Sequence, residues 1–209
     1  MLTALLLDRR YFTGYSSSDE NHCIGVATSS SPEGPFLSQT LPIICNSSAG
    51  GVIDASGFED TGGALYVVWK VDGNSLGHST PILIQSVESD GYTLKGSATQ
   101  LITNDAADGG VTEAPSLVLW AGWYYIFFSS NSYSGSIHSQ LRHLSDLIYP
   151  DTHYYDVSYA TAKSATGPFT KSATPLLQSG KCSTAGPGGA TVLNLNSVVR
   201  SHQTRGTQS

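Results

Sequence analysis

Internal repetition constrains this chain more than any other feature. Arg10–Ser18 (RYFTGYSSS), Leu65–Gly73 (LYVVWKVDG) and Trp123–Asn131 (WYYIFFSSN) are aromatic and β-branched, as half-buried strands are. Their residues Tyr11, Tyr66 and Tyr124 lie 55 and 58 positions apart (66 − 11 and 124 − 66). A second strand-like segment follows each: Cys23–Ser30, Pro81–Ser89 and Tyr155–Ser164. The first and third copies then run into Ser29–Ser38 and Ala162–Ser172, which share Gly-Pro-Phe; the middle copy has Ser89–Ser97, predicted as a turn and a short strand. A unit of turn, three strands, turn and short strand cannot bury both faces of its sheet alone, so it must stack on neighbours. The architecture this predicts is a β-propeller with four antiparallel strands per blade.

Counting units refines the expectation. At roughly 55 to 60 residues per unit, 209 residues hold fewer than four. The expected fold is therefore all-β, an incomplete β-propeller with about three to four blades. The first unit lacks its opening strand, because Tyr11 already belongs to a second strand, and the last begins at Ala185–Leu195. Residues 1–195 are read as the partial propeller. Residues 134–153 are read as an insertion, because they separate two strands joined far more tightly in the other copies. Ile137, Leu141, Leu144 and Ile148 fit one helical face there. A poorly ordered insertion and a short surface helix are the two readings. Residues 196–209 are polar and aperiodic and are expected to be disordered.

Charge excludes some partners. Only 12% of residues are charged, the net charge is −6, and no Lys/Arg cluster occurs. Nucleic acid and anionic membranes need a basic face, so neither is expected as a partner. No apolar run approaches the roughly 18 residues of a membrane span. The N-terminal MLTALLLDRR places its charges after the apolar patch and shows no cleavage site, so no signal peptide is read there. Cys23, Cys45 and Cys182 leave two readings open: one bridge with a free thiol, or three buried small hydrophobes. Asn46-Ser47-Ser48 is a glycosylation triplet of a kind that also arises by chance.

Two carboxylates recur in one setting. Gly51-Val52-Ile53-Asp54-Ala55-Ser56 aligns with Gly110-Val111-Thr112-Glu113-Ala114-Pro115-Ser116 if one proline is taken as inserted. In a propeller the start of the innermost strand lies at the channel mouth. Two carboxylates there can divide acid and base roles when their environments separate them. Asp60 and Asp72 lie near turns and read as structural; His22 and His78 read as loop residues. His138, His143 and His153 lack metal-ligand spacing, so no metal and no cofactor is assigned.

These segments together, with VIDAS and VTEAPS in order and joined by aromatic strands, resemble glycoside hydrolase family 43 over about residues 10–192, the insertion excepted. The resemblance implies a propeller of the five-bladed type acting on arabinose- or xylose-containing polysaccharides, with inversion. It implies Glu113 as general acid and Asp54 as the carboxylate that tunes the acid's pKa and orients it. The family's general base, an Asp on a first blade before Tyr11, is not present in this chain, which reads as a fragment lacking that blade. Where many members carry a histidine near a central cation, this chain has Gly186-Pro187-Gly188-Gly189-Ala190.

The expected function is therefore a glycosidase of arabinofuranosidase, xylosidase or endo-arabinanase type. Loss of a general base typically costs on the order of 10²–10⁴-fold, so the alternative is a non-catalytic carbohydrate-binding propeller. The partner expected is an oligo- or polysaccharide bound by a monomer. The resemblance implies an extracellular location.

Overall fold

The computed structural model describes residues 8–131, 155–179, 181, 184, 186–193 and 198–203. The insertion with its helical-face reading, Cys182, and His138, His143 and His153 lie outside the described residues. The chain divides into two compact units, Met1–Ile102 and Thr103–Ser209.

The first unit holds β1 (Asp8–Ser16), β2 (Asn21–Ser29), β3 (Leu37–Ser38), β4 (Ile44–Cys45), β5 (Val52–Glu59), β6 (Leu65–Val71), β7 (Ile82–Val87) and β8 (Leu94–Ile102). One sheet runs β1-β2 with β3 and β4 both on β2, and the other runs β5-β6-β7-β8. Every pairing is antiparallel. Ile24, Val52, Val67, Trp69, Val71 and Val87 form its core. A disulfide joins Cys23 to Cys45, which face each other across β2 and β4. Of the two readings left open for the cysteines, this pair settles on the bridge.

The second unit holds β9 (Thr112–Trp120), β10 (Trp123–Ser130), β11 (Asp156–Ala162), β12 (Thr170–Lys171), β13 (Leu177–Gln178), β14 (Pro187–Leu193) and β15 (Val198–Gln203). Its main sheet runs β9-β10-β11, with β12 and β13 both on β11, and β14 pairs with β15. Val118, Phe127, Val157 and Ala190 are its buried cluster. Strand β15 corrects the expectation for 196–209: residues 198–203 form an antiparallel ladder with β14. Backbone hydrogen bonding does not require the periodic side-chain pattern whose absence suggested disorder.

The first unit contains two four-stranded sheets and the second a five-stranded one, each running in chain order as a propeller blade does, so the all-β class and blade-type sheets agree with the repeat. The fourth strand shows why the copies diverge. In two of them it breaks into a pair of short pieces, β3/β4 and β12/β13, with Pro42 and Pro175 between the pieces. Proline has no N–H for the ladder. The surviving bonds match: Gln39 N to Val26 O and Ile43 N to Ile24 O, against Ser172 N to Tyr159 O and Leu176 N to Val157 O. Both Gly-Pro bonds before these pieces, Gly34-Pro35 and Gly167-Pro168, are cis. The middle copy has no such proline, and its fourth strand, expected to be short, is the nine-residue β8.

The matching bonds also reset the repeat register. Ile24 corresponds to Val157, and each pairs with a second-strand hydroxyl residue, Thr13 and Ser129. Tyr11, opposite Val26, then corresponds to Phe127, opposite Tyr159, not to Tyr124. The tyrosine spacing located the strands but not their register, because several aromatic residues in each strand can be aligned.

Candidate functional site

The inner strands β5 and β9 carry the same bulge. In β5, Ile53 pairs with Lys70 and Ser56 with Val68, which leaves Asp54 and Ala55 opposite Trp69. In β9, Glu113 pairs with Ser129 and Ser116 with Phe127, which leaves Ala114 and Pro115 opposite Phe128. Asp54 and Ala114 both take positive φ, 58° and 50°. Asp54 therefore corresponds to Ala114, and Glu113 to Ile53. The extra residue lies in the loop before β9, and Pro115 takes the place of Ala55. A bulge is a fixed backbone shape, so it sets the correspondence where residue types had suggested another.

Asp54 lies in the first unit and is half-buried. Its left-handed backbone costs a typical L-residue roughly 1–2 kcal/mol, and Asp is among the residues that tolerate it. The Asp54 N–H donates to Thr13 Oγ1 at 3.2 Å. Strand β14 repeats the device in the second unit: Gly189 has φ 59° and its N–H donates to Ser129 Oγ at 2.8 Å. Gly50 and Gly51 before β5 have φ 96° and 98°. Close approach adds to the angular requirement, since a Cβ on Gly51 would lie 2.6 Å from Asn21 Oδ1.

Glu113 lies in the second unit, half-buried at the start of β9. Tyr155 Oη donates to its Oε1 at 2.7 Å. Tyr155 is 9% exposed, and its ring lies hard against Gly188, where a Cβ would fall 1.7 Å from Tyr155 Cε1. Sequence reasoning assigned no role to either residue. The Gly-Pro-Gly-Gly run was the available signal: Gly188 leaves space for the tyrosine ring that holds the carboxylate. Gly188→Ala is expected to push the ring off Glu113 and to destabilise the protein by about 1–3 kcal/mol, as overpacking does. Tyr155→Phe, which keeps the ring, should cost about 1 kcal/mol. Urea unfolding of the two variants checks the order.

The residue after Tyr155 is an acid that sequence reasoning missed. Asp156 is 4% exposed. It accepts hydrogen bonds from Ser130 Oγ (2.8 Å), Asn131 Nδ2 (2.8 Å) and Ser158 Oγ (3.0 Å). Burial pushes its carboxyl above the usual range despite these donors. A raised acid holds its proton more tightly folded than unfolded. Stability contributed by that proton is present below the unfolded value of about 3.9 and is lost as pH rises through the folded one. Asp156→Asn is expected to remove that fall, seen as a flatter dependence of the urea midpoint on pH above the unfolded value of about 3.9.

Nearby, Lys171 Nζ bonds Asp105 at 3.0 Å and also contacts Asp108. The hydrogen bond from Ala107 N, followed by that from Lys171, lowers the Asp105 carboxyl. Asp60 and Asp72 behave as structural residues. Asp60 accepts from Thr61 N within a turn, and Asp72 pairs at 3.0 Å with Lys70, which is buried. His22 meets Tyr15 edge-on with ring centroids 6.0 Å apart. Among the described residues, the one His/Cys/Asp/Glu grouping of metal-ligand dimensions is Asp19, Cys23 and Cys45. Its two sulfurs are bonded to each other and offer no thiolate.

Residues 7–201 match the family of glycosyl hydrolases family 43. Among solved structures, the chain is similar to a thermostable family-43 glycoside hydrolase, with 27% identity and a TM-score of 0.71 over 88% of this chain and 57% of that one. It is similar to an endo-1,4-beta-xylanase from Bacteroides thetaiotaomicron VPI-5482, with 25% identity and a TM-score of 0.63 over 92% of this chain and 65% of that one. An endo-arabinase from the same organism shares the fold, with 19% identity and a TM-score of 0.71 over 95% of this chain and 68% of that one. The chain thus spans just over half to about two thirds of the length of these structures. No curated protein matches it at the same stringency. With the family matched along nearly the whole chain and the blade-type sheets in place, the protein belongs to glycosyl hydrolases family 43.

Proposed function

We propose that the protein hydrolyses O-glycosyl bonds in arabinose- or xylose-containing plant polysaccharides, with inversion. Glu113 is the general acid and Asp54 the carboxylate that orients and tunes it. One observation carries the reading: in a family-43 chain, Glu113 accepts a hydrogen bond from a buried tyrosine hydroxyl at the start of an inner strand. A general acid must deliver a proton to the leaving oxygen while water, activated by a base, attacks the opposite face. A carboxyl held at one oxygen by Tyr155 is restrained in orientation, which suits that transfer. No residue of this chain is assigned as the base. The neighbours' names, a xylanase, an endo-arabinase and an alpha-L-arabinofuranosidase from Lactobacillus brevis, support the sugar class. Release of reducing sugar from arabinan and arabinoxylan, and of phenol from aryl arabinofuranosides and xylosides, tests the activity. Absence of release by the full-length protein from all of them overturns it.

A second reading, a carbohydrate-binding protein without turnover, is favoured by the β9–β10 hairpin. There Trp120 and Trp123 face each other across the strands and are 55% and 41% exposed. Lys163 Nζ lies over the Trp123 ring at 3.5 Å, and partly exposed indole rings of this kind stack on sugars. Calorimetric titration with arabino- and xylo-oligosaccharides separates the readings, since binding with no product supports the second.

The protein is read as an extracellular monomer. The Cys23–Cys45 bridge supports the compartment, because such bonds persist where conditions are oxidising. Among the described residues no helix is long and apolar enough to cross a membrane.

A further inference from the structure

We propose that Asn46 is a glycan acceptor. Asn46-Ser47-Ser48 is the single Asn-x-Ser/Thr triplet in the 209 residues. All three of its residues are exposed. Asn46 stands outside the helical turn Ser47–Ala49, with φ −153° and ψ 71°. Its carbonyl is engaged, accepting from Ala49 N at 3.2 Å and Gly51 N at 2.9 Å, which fixes the backbone. Ser48 Oγ donates to Asn46 Oδ1 at 3.1 Å, which brings hydroxyl and amide together in one local unit. That unit depends on three adjacent residues, so it is accessible to the chain before folding.

Two further observations point the same way. The residue before Asn46 is Cys45, which is bridged to Cys23. A disulfide of this kind forms in an oxidising secretory compartment, where asparagine-linked sugars are also attached. The triplet also lies within an uncharged run of the sequence. From Gly34 to Ile53 there is no Asp, Glu, Lys or Arg, yet Leu37 and Leu41 are 73% and 75% exposed. A glycan at Asn46 hydrates a segment that has no charges of its own to do so.

The co-reactant is a lipid-linked pyrophosphoryl oligosaccharide. Asn46 Nδ2 attacks its anomeric carbon, the Nδ2–C1 bond forms, and the C1–O bond to pyrophosphate breaks. The lipid pyrophosphate leaves with the bonding pair, and one amide proton passes to a base. This proposal stands independently of the hydrolase reading.

The test is expression of the chain behind a secretion leader in a glycosylating eukaryotic host, with total cell protein and medium both analysed. The expected product carries one glycan, removed by peptide N-glycosidase with Asn46 recovered as aspartate. Asn46→Gln and Ser48→Ala each abolish the modification, while Ser47→Ala retains it. Attachment precedes folding, so total cell protein reports the result even for a variant that folds poorly. An unmodified Asn46 in the unaltered chain, or a glycan that persists in Asn46→Gln, overturns the proposal.

Discussion

Glu113→Gln in the full-length protein is expected to lower hydrolysis of arabinan or xylan by on the order of 10²–10⁴-fold. Glutamine has the shape of glutamate and can still accept from Tyr155 Oη, so the hydrogen bond of 2.7 Å has a replacement acceptor. What the amide cannot do is release a proton to a departing sugar oxygen. The loss should therefore depend on the leaving group. Natural linkages leave as alkoxides and need the proton; a nitrophenolate is stable without it, so aryl glycosides should lose much less. Steady-state rates on both substrate classes, with the urea midpoint as a control for folding, make the measurement. An equal loss on both classes would sink the acid assignment and point to binding or structure instead. Asp54→Asn, if it acts through the acid, should show the same leaving-group pattern with a smaller loss: natural linkages slowed by less than in Glu113→Gln, and aryl glycosides nearly spared.

Replacing Cys23 and Cys45 together by alanine is expected to cost about 3 kcal/mol, from the entropy of closing a loop of this length in the unfolded chain. The bridge spans 22 positions and links β2 to β4. Cys23 is 2% exposed and packs in the first unit. The second unit shows what the sheet does without a bridge: the corresponding pair is Asp156 opposite Gln178. Asp156 is held there by donors from Ser130, Asn131 and Ser158. The alanine pair has no such donors, so the ladder alone must hold β4. Urea unfolding of the double variant, beside the unaltered protein with and without reductant, reads the effect. If reductant and substitution both leave the midpoint unmoved, the bridge contributes nothing.

Much of the fold was legible because repetition imposes its own constraint. Aromatic strands followed by alternating strands and a shared Gly-Pro-Phe turn indicated blades, and β1, β2, β6, β7, β10 and β11 lie where those segments predicted. Register was not legible. Tyr11, Tyr66 and Tyr124 look equivalent as letters, but backbone bonds at Ile24 and Val157 align Tyr11 with Phe127. The same holds for the acidic pair. Both were found as acids at strand starts, yet the bulges align Asp54 with Ala114. A bulge is made by backbone angles that Asp, Ala and Gly can all adopt, so residue identity does not reveal it.

Sequence alone determined the class: a recurring pattern of half-buried strands that must stack on neighbours, with VIDAS and VTEAPS placing Asp54 and Glu113 at strand starts. These depend on neighbours within a few positions, which the chain order records. Tertiary structure decided what surrounds Glu113. Tyr155 and Gly188 are 42 and 75 positions away (155 − 113 and 188 − 113), yet the tyrosine hydroxyl and the space for its ring are set at the same carboxylate. Long-range pairing creates such contacts through the packing of whole strands, and no local pattern encodes them.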